Sequence, residues 1–526
     1  MSKCHSLLFC QLLEKMEKFT EVQSTFSINE CFNSFKRPRT DSFKKSNFID
    51  QFNQFRSTLC SDEDVDINLF KKLYDFFQKN IYNSKFISQI GPLCDIKFVT
   101  NLLSCYNCTL NQTDLLIFDI LVLLENKLNV NLSLISPLVF GKSSKKYYND
   151  LIVYGNILHK KLTPEQVLEY FDQKVMWDTL TKMTRFHHKK TKRNRRVIKA
   201  DEKCYDPRFV LRSLLQIVKM DFKFNCRIMI TSNALSFCFA STSFYDSTLR
   251  SLAYTVLQNF QKRLKQQNEY FRQKLLFGFV IEFFKNGILT VNQKACQFVS
   301  QFFARYSKIA LTPTNPLYSP LTSFFIQKPF MDLESIPEFS KLFFSSSSEN
   351  CREERRWMLR LIDDSFLDFN DYQILGKVYA IESFMGIFCT PMADLWNKLI
   401  LLKIFRSYVE LQAKDLFTRL DFDTWLTKAI YHPRTTIKEK LELTIIFNEL
   451  INHLKKGFFD HSDIEKDENK LNVNLERRKQ LLITKLKINK QKIVEYLRTS
   501  LYFDIENDIK RRDEIVLKLL DNELIK

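Results

Sequence analysis

Tyr205-Asp206-Pro207-Arg208-Phe209 opens the stretch that decides the fold, which runs on to Asn286-Gly287 and contains Asp246-Ser247-Thr248-Leu249-Arg250-Ser251-Leu252-Ala253-Tyr254-Thr255-Val256-Leu257. Leu249, Leu252, Ala253, Val256, Leu257 and Phe260 recur at i, i+3, i+4, i+7, i+8 and i+11, so a helix places them on one face that must be buried. Asp206 is placed to cap a helix whose first residue is Pro207, where the missing N–H costs nothing, and Asp246 offers a cap of the same kind. A second amphipathic run, Leu275, Leu276, Phe279, Val280, Phe283 and Phe284, stops at Asn286-Gly287, read as a left-handed helix end. Consecutive one-faced helices bury those faces by stacking in antiparallel pairs, the logic of HEAT and armadillo arrays. The spacing of Asp246, Arg250, Ala253, Val256 and Leu257 matches the second half of such a repeat.

Composition agrees. In 526 residues there are only 8 Gly and 12 Pro, too few breakers for a sandwich or barrel that turns every ten residues or so. The length allows about two to four domains or one extended array. The net charge of +19 fits a polyanionic partner. However, 50 Phe alongside abundant Lys and Asn is also what AT-rich coding produces, so clustering of charge has to decide. The Cys residues are scattered in apolar runs, as in Phe237-Cys238-Phe239, and read as small buried hydrophobes of a reducing compartment. Cys105 and Cys108 form a lone C-x-x-C without a second pair or a His at zinc spacing. The opening residues Leu7-Leu8-Phe9-Cys10 soon meet Glu14-Lys15 and Glu17-Lys18, too short and too charged for a signal peptide or membrane span.

Charge clusters in one place. Residues 182–199 carry nine Lys/Arg and no acid, among them Arg185, Lys189, Lys190, Lys192, Arg193, Arg195 and Arg196, with His187 and His188 inside. The run is too polar for a core and too dense in one sign for a comfortable helix, so it is expected to be a loop that meets RNA phosphates or directs nuclear import; the alternative is a plain solvated loop. A smaller group, Lys36, Arg37, Arg39, Lys44 and Lys45, is a candidate nuclear localisation signal in a polar N-terminal tail. Gly141-Lys142-Ser143 is not a phosphate loop, because the position five residues before Gly141 is Ser136 and Pro137-Leu138-Val139 follows it. Thr163-Pro164-Glu165-Gln166 is a capping box opening a helix expected to reach about Lys182. Further helices are expected over 66–82, 114–128, 291–311, 351–366, 372–388, 390–411 (capped by Thr390, with Pro391 in the first turn) and 434–456, ended by Gly457. Trp357, Trp396 and Trp425 lie in apolar helical patterns and read as packing residues rather than base-stacking platforms.

Many of these motifs, in order, resemble the C-terminal region of the nucleolar pre-ribosomal-associated protein 1 family. Those that carry the resemblance are Ile135-Ser136-Pro137-Leu138-Val139-Phe140-Gly141, the Tyr205 motif, Asn225-Cys226-Arg227, Asn233-Ala234-Leu235, 249–257, Asn286-Gly287-Ile288, 318–329, Asp332-Leu333, Ile336-Pro337-Glu338-Phe339, Leu342-Phe343-Phe344-Ser345-Ser346, Arg355-Arg356-Trp357-Met358-Leu359 and Thr424-Trp425-Leu426. The match covers roughly residues 114–426. Family members are far longer, with a large N-terminal helical region that has no counterpart here. The resemblance implies an early nucleolar pre-ribosomal particle, association with pre-rRNA, and cooperation with assembly factors including a DEAD-box RNA helicase.

The expected architecture is all-α: a HEAT/armadillo-like helical solenoid with a disordered N-terminal tail and long C-terminal helices. Its expected parts are a disordered basic tail (1–61), a helical segment (62–181), a basic linker loop (182–204), the family-like helical array (205–431) and Lys-rich C-terminal helices (432–526). No nucleophile elbow, Gly-rich phosphate loop or metal cluster is found, and the adjacent acids Glu353-Glu354 and Asp363-Asp364 point in different directions on a helix. The chain therefore reads as no enzyme, with no cofactor, no metal, no small-molecule substrate and no membrane. The function expected is that of a scaffold in large-ribosomal-subunit assembly, located in the nucleus and nucleolus. The alternative is a HEAT-like adaptor or nuclear transport protein that binds peptides rather than RNA. An acidic or apolar groove would favour the adaptor; a basic ridge would favour RNA.

Overall fold

The computed structural model describes residues 48–60, 67–183, 203–220, 225–267, 271–328, 331–346, 349–458, 484, 487–498, 511 and 513–518. It is all-α; among the described residues no strand forms, and extended chain pairs only in an isolated antiparallel bridge between Thr109 and Tyr205. Two compact units are present, the first made of residues 1–295 and 300–333, the second of 296–299 and 334–526.

In the first unit, α1 (Phe48–Cys60), α2 (Ile67–Asn80), α3 (Ser84–Ile90), α4 (Ile96–Cys105) and α5 (Gln112–Lys127) pack as neighbours, α2 on α5 and α1 on α3 and α4. Edge-on contacts among Phe52, Phe76, Phe77 and Phe86 fill the space between α1, α2 and α3. Then come α6 (Ser144–Leu158), α7 (Pro164–Glu169), α8 (Gln173–Thr181), α9 (Pro207–Lys219), α10 (Cys226–Thr231), α11 (Ala234–Ser241), α12 (Ser247–Gln266) and α13 (Lys274–Asn286). The long α12 lies against α9, α11 and α13. Ala253, Val256, Leu257 and Phe260 are the face it buries, as the periodicity predicts. Leu249 and Leu252, at the edge of that face, are half-covered. Arg250 in α12 donates to the carbonyl oxygens of Phe244 (2.7 Å) and Asn292 (2.7 Å), and Arg263 donates to that of Val218 (3.1 Å), so the helix ties down the loops beside it. From residue 300 onward, α14 (Gln297–Ile309) packs with α15 (Tyr318–Gln327) and α13 through Phe283, Phe302, Phe303, Phe324 and Phe325. Much of the phenylalanine excess therefore sits in cores, whatever its coding origin.

The second unit holds α16 (Phe339–Phe343), α17 (Cys351–Ser365), α18 (Phe369–Lys377), α19 (Ala380–Phe388), α20 (Leu395–Leu420), α21 (Phe422–Tyr431) and α22 (Ile437–Phe458), with α20 against both α17 and α22. Buried Arg355 on α17 donates to the carbonyl oxygens of Phe343 (2.9 Å), Ser345 (2.8 Å) and Met392 (2.8 Å), tying three backbone groups to one side chain. Burial pulls its guanidinium pKa below the usual value. Lys398 is likewise buried, 3.2 Å from Glu439 and 2.9 Å from the Arg434 carbonyl oxygen. Trp425 packs on Phe388, Phe405 and Phe422 and donates to the Met385 carbonyl oxygen at 3.1 Å.

Several expectations change. Asp206 and Asp246 cap as predicted, and the Thr163 capping box forms with Gln166. The helix it opens stops at Glu169, however, because Asp172 caps a second one. The expected 372–388 helix is two, broken where Tyr379 takes a left-handed φ of 51°. Thr390 does not cap a helix; its hydroxyl bonds the Ile387 carbonyl oxygen, and Asp394 caps α20 instead. The 291–311 helix begins only at Gln297, after Asn292 at φ 54°. Gly457 lies inside α22 rather than ending it. Gly287 is not left-handed either: its φ is −79°, and a Cβ there would sit 2.7 Å from the Met331 carbonyl oxygen, so close backbone approach is what excludes a side chain. Leu275 and Phe279, expected on the buried face of α13, are exposed; the buried residues of the helix are Phe277, Val280, Ile281, Phe283 and Phe284.

Candidate nucleic-acid interface

The candidate RNA-binding residues Arg185, Lys189, Lys190, Lys192, Arg193, Arg195 and Arg196, the neighbouring His187 and His188, and the localisation candidates Lys36, Arg37, Arg39, Lys44 and Lys45 lie outside the described residues. The described structure gives the frame from which residues 184–202 depart. On one side, α8 ends and Met183 is buried with its sulfur 3.8 Å from the Ser241 hydroxyl oxygen. On the other, Leu110 N–H donates to the Cys204 carbonyl oxygen (3.0 Å) and Asp206 N–H to that of Cys108 (2.8 Å). Tyr205 N–H donates to the Thr179 hydroxyl (2.9 Å), and the Tyr205 hydroxyl accepts from Asp172 N–H (2.8 Å). Both ends of the run are therefore anchored at α8. The Tyr205 ring packs edge-on against Phe140 and Phe171, and burial pushes its hydroxyl pKa up to about 12.

Cations inside the motifs are spent on structure. Arg208 lies over the Phe118 ring (4.2 Å) and pairs with Asp206 (2.6 Å) and Asp119 (3.6 Å). Burial opposes its charge, but these carboxylates outweigh that and raise its pKa. Arg212 makes a forked pair with Glu125. With Arg250, Arg263 and Arg355 also committed to carbonyl groups, these arginines serve packing, and the cations outside such clamps are the ones left for a phosphate.

The second unit offers such cations on α17 and α20. These helices run side by side in the same direction: near their starts Arg356 pairs with Asp394 at 3.0 Å, and near the far end Phe366 stacks on Tyr408 at 4.6 Å. Arg352, Arg356 and Arg360 recur every four residues on α17, the outer two exposed. On α20, Trp396 is 59% exposed, followed at helical spacing by Leu399 and Lys403, both also exposed. Trp396 thus corrects the packing assignment made from sequence; an apolar pattern almost all round the start of α20 hid which side faces outward. Exposed indole, guanidinium and ammonium groups are the kinds of side chain that stack a base and hold its phosphates.

Cys108, of the C-x-x-C pair, is fully buried, and burial raises its thiol pKa well above the ordinary value. Among the described residues no group of three or more His, Cys, Asp or Glu is placed to hold a metal ion, and no helix is long and apolar enough to cross a membrane.

The comparisons uphold the resemblance seen in the sequence. The family model described as nucleolar pre-ribosomal-associated protein 1 matches residues 235–425. Relatives bearing that same name are 23% identical over 347 residues in Mus musculus and 22% identical over 359 residues in Homo sapiens. The aligned parts cover 64% and 65% of this chain but 15% of each relative, so the chain spans about a seventh of their length. No solved structure matches.

Proposed function

Proceeding from that resemblance, we propose that the chain is a helical scaffold of early nucleolar pre-ribosomal particles that supports large-subunit rRNA maturation. Its location is that carried in the relatives' names, nuclear and nucleolar. The observation that carries the reading is the ordered family match across 235–425, a region without a catalytic signature. The partners it implies are pre-rRNA and assembly factors, a DEAD-box RNA helicase among them. Two features support an RNA partner: the density of Lys and Arg in the sequence from 182 to 199, and the exposure of Arg352, Arg360, Trp396 and Lys403 in the second unit. Phosphate contacts of this kind position an RNA without reading its sequence, which suits a scaffold.

Depleting the protein and quantifying rRNA precursors tests this. Large-subunit precursors should accumulate and mature large-subunit rRNA should fall, with small-subunit rRNA unchanged. Normal large-subunit processing, in cells with no second copy of the gene, would overturn the proposal.

A further inference from the structure

In α6 the inner face, Tyr147, Tyr148 and Leu151, is buried, yet the helix carries a second apolar set on its outside. Val153 is 75% exposed, Ile157 97% and Leu158 78%, with Ile152 and Tyr154 also exposed. Gly155, at φ 66°, kinks the helix between the two halves of this set. Beside it opens a cleft of about 450 Å³, lined by Tyr154, Leu158 and His159 along with Lys146, Lys160 and one carboxylate, Asp150. Contiguous aliphatic surface of this kind marks an interaction site on a soluble protein.

We propose that this face docks an amphipathic helix of a partner protein, its apolar stripe flanked at both ends by Asp or Glu. The length fits: the set spans only six residues, from Val153 to Leu158, so about two turns of a partner would cover it and place one side chain in the cleft. The charge fits too, because exposed Lys145 and Lys146 precede the apolar set and exposed Lys160 and Lys161 follow it. A second copy of this chain suits it less, since a two-fold contact would set these lysines against each other. RNA suits it less because four of the five exposed residues are aliphatic and cannot stack.

The test uses the full chain and a pair of labelled helical peptides of about 18 residues, long enough to hold helix, with Leu at i, i+3, i+4 and i+7 and either Glu or Lys at both ends. Fluorescence anisotropy should show the Glu-flanked peptide binding about tenfold more tightly than the Lys-flanked one. Val153→Asp with Ile157→Asp should weaken it at least about tenfold with the thermal midpoint unchanged, both residues being on the surface. Lys146→Glu with Lys160→Glu, which brings the four flanking positions to zero net charge, should abolish the preference. Equal binding of the two peptides, binding of neither, or indifference to the Asp variant would overturn the proposal. So would loss of self-association or of RNA binding, rather than of peptide binding, in that variant.

Discussion

In α12, Val256, Leu257 and Phe260 lie between helices with at most 4% of their surface exposed, whereas in α6, kinked at Gly155, Val153, Ile157 and Leu158 stand 75–97% exposed. Side-chain chemistry does not distinguish the two; what differs is whether another part of the chain comes to cover them. α12 is met by α9, α11 and α13, and its apolar face contributes to folding. In α6 the apolar surface left after Tyr147, Tyr148 and Leu151 have been packed is available to something else. The same division separates the arginines: Arg355 is sealed on three carbonyl groups, while Arg360, on the same helix, faces solvent.

The largest effect should come from the covered helix. Leu257→Ala is expected to cost about 2–5 kcal/mol, the transfer loss plus a cavity, while Ile157→Ala stays within about 0.5 kcal/mol; chemical denaturation measures both. Similar losses at the two sites would break the comparison. Next, Arg355→Met should cost about 1–3 kcal/mol by removing the donor that three carbonyl oxygens share. Arg360→Gln should leave stability unchanged but lower the affinity for single-stranded RNA, and the pair of measurements separates clamp from contact.

A smaller effect is set by pH. Burial raises the folded pKa of Tyr205 to about 12 from the ordinary 10.0. The neutral hydroxyl is therefore favoured by folding, and its contribution, complete below pH 10.0, is lost as pH rises from there towards about 12. Tyr205→Phe should flatten that part of the stability profile. An unchanged slope in the variant would count against the buried setting of Tyr205.

How far the sequence reached can be judged on the same two helices. Local chemistry was legible: Asp206 with Pro207, Asp246, and the Thr163–Gln166 box all form where side-chain oxygen and backbone N–H demand it. Periodicity identified which residues of α12 share a face. It could not show that Leu275 and Phe279 in α13, or Trp396 in α20, would be left outside, because coverage depends on distant helices. Where two caps compete, as Thr390 and Asp394 do, the winner depends on how α19 ends, and the Thr390 hydroxyl is taken by the Ile387 carbonyl oxygen. Gly287 was recognisable as a necessary glycine, but for a conformation it does not adopt; the cause, the Met331 carbonyl oxygen, is 44 residues away. Of the candidate RNA site, the sequence shows the cations of 185–196, and the structure adds how the flanking residues Met183 and Tyr205 are held.

The central claim of the proposed function is that this chain holds pre-rRNA through the basic run of residues 182–199. Six phosphate contacts to single-stranded RNA, from Lys189, Lys190, Lys192, Arg193, Arg195 and Arg196, would give a log–log salt slope of about −4, roughly −0.7 per contact. Replacing all six by Gln should remove most of it. The most direct measurement is crosslinking the protein to RNA in cells and sequencing the attached fragments, for the natural chain and the six-fold Gln variant. The account predicts fragments of large-subunit precursor rRNA that fall sharply in the variant. Fragments no richer in pre-rRNA than total nuclear RNA, or a yield unchanged in the folded variant, would contradict it.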